Sequence, residues 1–242
     1  MSKYGQFCPI ARSLEILGDR WTLLIIRDLL TGTTHFNDLE RGLPGISRAI
    51  LARRLRQLQL AGVIEKQLNG SGRQTTKYGL TQAGQELLPT LMSLRSWGET
   101  WAFGEPTQQE LDPVLLMWWL RGRAKVDLQA GQHIVVQFNF HIAKKSNFWL
   151  LLTAGDTTLC LTDPGFEISL LVTAELALFF KLWAGRISYQ DALHDGRVTV
   201  DGVPDLVDAF PSWFGWNKDT AAVRSRQASV VLANYHPQVS EV

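Results

Sequence analysis

Apolar residues recur at helical spacing from Pro9 to Leu17 and again from Trp21 to Leu30, with Gly18 and Asp19 between the two runs. This spacing predicts two helices meeting at a tight corner, the first closed by Gly18. Phe36 to Leu43 reads as a short amphipathic helix after a turn over Thr31 to Thr34. Leu43-Pro44-Gly45-Ile46 then breaks the helical pattern, and Ser47 is placed to cap the helix that follows. In that helix, Arg48 to Ala61, the residues Leu51, Leu55 and Leu58 fall within about 60 degrees of one another on a helical wheel and predict a core-facing stripe. Ala49, Ala52, Arg53, Arg56 and Gln57 point the other way, and Arg48 lies on the flank.

Val63 to Leu68 and Thr75 to Leu80 read as two strands joined by the turn Asn69-Gly70-Ser71-Gly72, a hairpin with Arg73 near its tip and Lys77 on the return strand. Thr81 is expected to cap one long helix reaching about Phe103. Its Leu87, Leu88, Leu91, Leu94, Trp97 and Trp101 offer more apolar surface than a small domain covers alone, which implies a partner helix, and Leu87, Leu91, Leu94, Trp97 and Trp101 are the expected dimer interface.

Beyond Glu105-Pro106-Thr107, which reads as a linker, Gln109 to Lys125 is compatible with a helix. Gln132 to Phe140 alternates, with Ile134, Val136, Phe138 and Phe140 on one side, as in a half-buried strand. Phe148 to Thr153, Thr157 to Thr162 and Phe166 to Thr173 predict three more strands in a meander. Ala174 to Ala184 is an apolar helix, Tyr189 to Leu193 a short one, Arg197 to Val200 a last strand and Pro204 to Phe210 a last helix. The expected organisation is a domain over 1–105, a second α+β domain over 106–216 and a tail, 217–242, without a pattern.

A chain of 242 residues has room for two cores, and 45% apolar with 19% charged residues is an ordinary globular composition. There is no N-terminal apolar run and no stretch near the roughly 18 apolar residues of a membrane span, so a cytoplasmic protein with no membrane partner is expected. Cys8 and Cys160 fall in different halves and do not suggest a disulfide framework. The net charge of +1 conceals an asymmetry, because residues 41–80 hold eight basic side chains (Arg41, Arg48, Arg53, Arg54, Arg56, Lys66, Arg73 and Lys77) and one acid, Glu65. That excess predicts a polyanionic partner. The five histidines lack metal-ligand spacing, no glycine loop suits a phosphate, and Asp205 and Asp208 read as a solvated face. Neither catalytic residues, nor a metal, nor a cofactor is expected.

The order helix, helix, short helix, turn, basic helix, hairpin, long helix is that of a winged helix-turn-helix, whose natural ligand is double-stranded DNA. Cys8-Pro9-Ile10-Ala11, Leu17-Gly18-Asp19-Arg20-Trp21, His35-Phe36-Asn37-Asp38-Leu39, Leu43-Pro44-Gly45-Ile46-Ser47, Arg54-Leu55 and Tyr78-Gly79-Leu80-Thr81 together resemble the HxlR family of MarR-like bacterial regulators, from about Phe7 to Leu94. The resemblance implies a homodimeric transcription regulator, with Ser47, Arg48, Ala49 and Arg53 in the major groove and Arg73 in a wing against the minor groove. The wheel makes Arg48 a phosphate contact rather than a base reader and adds Ala52, Arg56 and Gln57 to the DNA-facing set, which Lys77 of the return strand completes. Trp21, Phe36 and Leu55 are assigned to the core. The resemblance also suggests an oxidant-sensing thiol at Cys8, next to Pro9 at a helix N-terminus, against the plainer reading of a small packing residue.

Tyr189-Gln190-Asp191-Ala192-Leu193, Asp195-Gly196-Arg197, Val198-Thr199-Val200-Asp201-Gly202 and Asp205-Leu206 to Trp213-Phe214 loosely resemble the sterol-carrier-protein-like fold. That likeness implies an apolar cavity walled by Val136, Phe138, Phe140, Phe179 and Trp183, and an uncharged small-molecule effector. The expected fold is a mainly α winged helix-turn-helix domain followed by an α+β sterol-carrier-like domain. A thiol-switched regulator and a lipid carrier with secondary DNA contact are the rival functions.

Overall fold

In the computed structural model, which describes residues 3–68, 76–141, 147–194 and 196–216, the first helical runs form where their spacing predicts. α1 (Pro9–Leu17), α2 (Thr22–Leu30), α3 (Phe36–Gly42) and α4 (Arg48–Leu60) precede an antiparallel hairpin of β1 (Ile64–Leu68) and β2 (Thr76–Leu80). Then come α5 (Gln82–Gln85) and α6 (Leu88–Trp101). The chain divides into two compact units, residues 1–94 and 95–242, and α6 runs across the division.

The first core is built from Ile25 and Ile26 of α2, Leu39 of α3, Leu51, Leu55 and Leu58 of α4 and Ile64 of β1, all buried. Trp21, Phe36, Leu87 and Leu91 pack against it half-buried. The corner between α1 and α2 depends on Trp21, the one non-glycine among the described residues with a left-handed backbone (φ 79°). Such a conformation persists only where the surroundings fix it. Here Arg20 lies 5.0 Å from the Trp21 ring centre, and a β-carbon on Gly45 (φ 86°) would stand 3.8 Å from that ring. The corner therefore underlies the turn that leads into α4.

The long helix expected from Thr81 to Phe103 is in fact two, α5 and α6, separated at Glu86 and Leu87. Pro89 explains the break, since it has no N–H to donate and its ring collides with the carbonyl four residues earlier. α5 is locked to the start of the hairpin by Thr81, whose one hydroxyl proton is shared between the Gly62 and Val63 carbonyl oxygens, at 2.6 and 3.0 Å from Oγ1, while Oγ1 accepts from Gly84 N at 3.3 Å. Gly84 has no space for a side chain, because a β-carbon there would come within 2.3 Å of the Val63 carbonyl oxygen. Gly84→Ala is accordingly expected to destabilise the protein by about 1 to 3 kcal/mol, although alanine is the better helix former by about 1 kcal/mol. A urea unfolding midpoint no lower than the parent's would show that α5 can lift off the hairpin freely.

In the second unit α7 (Pro113–Arg123) leads into β3 (His133–His141), β4 (Asn147–Thr153), β5 (Asp156–Cys160), β6 (Leu170–Glu175), α8 (Leu176–Trp183), α9 (Tyr189–His194), β7 (Val198–Gly202) and α10 (Pro204–Trp213). Asp112 caps α7 by accepting from Val114 N and Leu115 N. The five strands form one mixed sheet in the order β5-β4-β3-β6-β7. The expected four-strand meander stops after three strands. Residues 161–169 cross to the other side of β3, where Val136 stands opposite Leu170 and Phe138 opposite Val172 in parallel register. Ser169 anchors the crossing, its N–H donating to Val135 O at 2.9 Å and its Oγ accepting from Val135 N at 3.2 Å. Nine residues are too many for a tight hairpin, and parallel neighbours require a crossover.

Ile134, Val136, Phe138 and Phe140 of β3 are buried with Leu116 and Leu120 of α7, Phe179 of α8 and Phe210 of α10, so the helices named here cover that face of the sheet. Among the described residues no helix is long and apolar enough to cross a membrane, and no group of three or more His, Cys, Asp or Glu stands together as a metal site would. Cys8 and Cys160 are free and half-buried.

Candidate nucleic-acid interface

α4 starts where Ser47 Oγ accepts from Ile50 N at 3.3 Å, a side-chain cap on an extended residue. With Leu51, Leu55 and Leu58 turned into the core, Ser47, Arg48, Ala49, Ala52, Arg53 and Arg56 are exposed and Gln57 half-exposed. The outward face read from the helical wheel is the exposed face of the structure. Its N-terminal amides add a partial positive charge at the end nearest Ser47. Arg53 and Arg56 make no ion pair or hydrogen bond among the described residues.

The other two arginines of α4 are committed within the protein. Arg54, with a side chain only 12% exposed, pairs with Asp19 at the α1–α2 corner and donates from Nη1 to Gln57 Oε1 at 2.7 Å. Its Nε is buried without a partner. Gln57 thus has its oxygen turned to Arg54. Arg48 pairs with Glu40 and donates from Nη2 to Asn37 Oδ1 at 3.3 Å. The pairing roles of Asp19, Asn37 and Glu40 escaped sequence reasoning; their partners are distant in sequence, and although Asp19 and Asn37 fall within the motifs, nothing local links them to Arg54 and Arg48.

The hairpin is held to the segment just before α3, since His35 bridges to Lys77 and Tyr78 N donates to Thr34 O at 2.8 Å. Within the hairpin Lys66 stands opposite Tyr78 and Lys77 opposite Gln67. Arg73, the expected wing contact, lies outside the described residues. Cys8 occupies the N-cap position of α1 with Pro9 following, and its carbonyl accepts from Arg12 N at 3.0 Å.

Of the five expected dimer residues, Leu94, Trp97 and Trp101 are exposed along α6, whereas Leu87 and Leu91 lean on the first unit's own core. Leu88, read from the sequence as part of the same apolar surface, is exposed too, and Met92 of α6 with Phe7, Ile10 and Leu14 at α1 are further exposed apolar side chains that the sequence reading did not assign to it. Of the five expected cavity residues, Val136, Phe138, Phe140 and Phe179 are buried, and the Phe179 ring centre is 5.9 Å from Phe138 and 5.5 Å from Phe140. Trp183 is half-buried and stacks on Trp119 at 4.6 Å. The Phe179 ring is thus packed directly against Phe138 and Phe140. The second unit has an open recess of about 410 Å³ elsewhere, near the start of β3, where Gln132, His133, Leu151 and Phe166 are among its walls.

Helices packed under a capped, basic, outward-facing helix with a hairpin at its side define a winged helix-turn-helix. Residues 16–105 match the model of the HxlR-like helix-turn-helix family. The HTH-type transcriptional regulator YvaP of Bacillus subtilis is 33% identical over 98 residues, 40% of this chain and 91% of that protein. An HTH-type transcriptional regulator of Synechocystis, sll1512, is 33% identical over 97 residues, 40% of this chain and 72% of that protein. Among solved structures, the reduced form of the B. subtilis transcriptional regulator YodB is 30% identical, with a TM-score of 0.37, over 40% of this chain and 96% of that one. The chain belongs to the HxlR-like family of transcriptional regulators. Relative to YvaP, the mixed-sheet unit is an addition.

Proposed function

We propose that the protein acts as a homodimer on an operator of two half-sites, with α4 in the major groove of each and the β1–β2 hairpin against the flanking backbone or minor groove. The observation that carries this reading is the outward face of α4, where Arg53 and Arg56 stand exposed and unpaired beside the small residues Ala49 and Ala52, which let a helix approach base edges closely. Exposed Leu94, Trp97 and Trp101 on α6 supply an apolar face for the second copy. Two half-sites about one DNA turn apart should then be protected in a footprint.

Arg53→Ala is expected to cost about 1 to 3 kcal/mol and to relax preference at one position of each half-site. Arg73→Ala should weaken all sequences more evenly and reduce the salt dependence. Equal, sequence-independent losses for both variants in a quantitative selection assay would overturn these roles. A sterol-carrier-like tunnel would require Phe138, Phe140 and Phe179 to part. An effector that is small and uncharged has room instead in the recess at His133 and Phe166, whose volume is within the roughly 300 to 1,000 Å³ of ligand sites.

A further inference from the structure

Arg48, at the first position of α4, is held in a manner that a simple phosphate contact does not require. Its Nη1 donates to Glu40, its Nη2 donates to Asn37, and its guanidinium lies 4.9 Å from the centre of the Phe36 ring. All three partners belong to α3. The Arg48 side chain is nevertheless 65% exposed, against 28% for Glu40, so the guanidinium is fixed from behind and open in front. A guanidinium carries five N–H donors in one plane; two are engaged here, leaving three for a ligand.

Two physical consequences follow from that arrangement. The Glu40 carboxylate offsets the charge of Arg48, so Arg48 adds little to the general attraction for phosphates, and a phosphate approaching it would meet a carboxylate nearby. The fixed plane, in contrast, has little rotamer freedom left to lose on docking, which favours directional recognition. A planar pair of donors suits two acceptors side by side in the major groove, and guanine offers these at N7 and O6. Arg56, with no carboxylate partner, keeps uncompensated charge for the salt-dependent attraction.

We propose that Arg48 reads a guanine edge and that Glu40 is its positioning residue, a specificity device built across α3 and α4. This rests on α4 being the helix that reads DNA. It departs from the expectation that Arg48 touches a phosphate.

The test uses the full-length protein, a duplex enriched by that protein from a random pool, and a random duplex of equal length, with affinities measured across a salt series. Arg48→Lys keeps the charge but loses the planar fork. It is expected to lose roughly 10- to 100-fold on the enriched duplex, with little change on the random one and an unchanged salt slope. Glu40→Ala should have effects of opposite sign, weakening the enriched duplex and tightening the random one, with a salt slope steeper by about one. Thermal melting of each variant separates these effects from loss of the fold. Arg48→Lys binding like the parent, or Arg48→Met losing equally on both duplexes with a slope shallower by about one, would make Arg48 a phosphate contact and overturn the proposal. If no sequence is enriched by the parent protein, the reading of α4 fails first, and this inference fails with it.

Discussion

Phe179→Ala is expected to lower the unfolding free energy of the second unit by about 3 to 5 kcal/mol. Phe179 is fully buried, with its ring centre 5.9 Å from Phe138, 5.5 Å from Phe140 and 5.7 Å from Trp216, so its neighbours come from β3 and from the end of the α10 segment. Removing the ring forfeits its transfer free energy and leaves a void that a sheet and three helices close only in part. The same substitution separates a filled core from a ligand chamber. A side chain that already borders empty space loses fewer contacts when shortened, and the remaining cost is correspondingly small. Denaturant unfolding followed by far-ultraviolet circular dichroism, with tryptophan fluorescence as a second probe, reads the difference. A loss below about 1 kcal/mol would mean that Phe179 walls open space and would restore the tunnel.

What the amino-acid pattern discloses divides by the range of the interaction. α4 was legible almost residue by residue, because a cap at Ser47 and a stripe at Leu51, Leu55 and Leu58 are local features that fix which side chains face out. The alternation of β3 likewise picked out the buried face with Ile134, Val136, Phe138 and Phe140. Local pattern could not distinguish a wall from a filled core at these same positions, because burial against a ligand and burial against Phe179 place the same demand on a side chain. Nor could it order the strands, since the parallel pairing of β3 with β6 joins residues more than thirty positions apart, such as Val136 and Leu170. The break between α5 and α6 was available in Pro89, but the continuous apolar spacing around it masked the signal. Arg48 illustrates the other limit: the wheel put it on the flank, and only the fold brings Glu40, eight residues earlier, onto its guanidinium.

Replacing both Trp97 and Trp101 by glutamate is expected to convert the protein from dimer to monomer at micromolar concentration and to lower affinity for a two-half-site operator by roughly 100- to 10,000-fold. α6 has no buried residue over its 14 positions, and Leu94, Trp97 and Trp101 recur three and four apart on it, with Trp97 58% and Trp101 56% exposed. A tryptophan buries about 150 to 250 Å² when covered, so two from each copy supply a large part of the apolar area that a stable pair needs. Glutamate at the same positions would bring like charges together in a surface that must shed water. Leu87 and Leu91 are unsuitable for this test because they support the first unit's own core, and their loss would confuse unfolding with dissociation. The operator loss arises because each copy must then find its half-site independently, without the effective concentration that a tethered second copy provides. Affinity for a single half-site should stay within about twofold of the parent, which shows that α4 is intact. Sedimentation velocity gives the assembly state, and titration of one- and two-half-site duplexes gives the coupling. A parent protein that sediments as a monomer, or a double variant that remains dimeric, would remove α6 from the interface and leave the exposed apolar side chains of α1, Ile10 and Leu14, as the surface to test next.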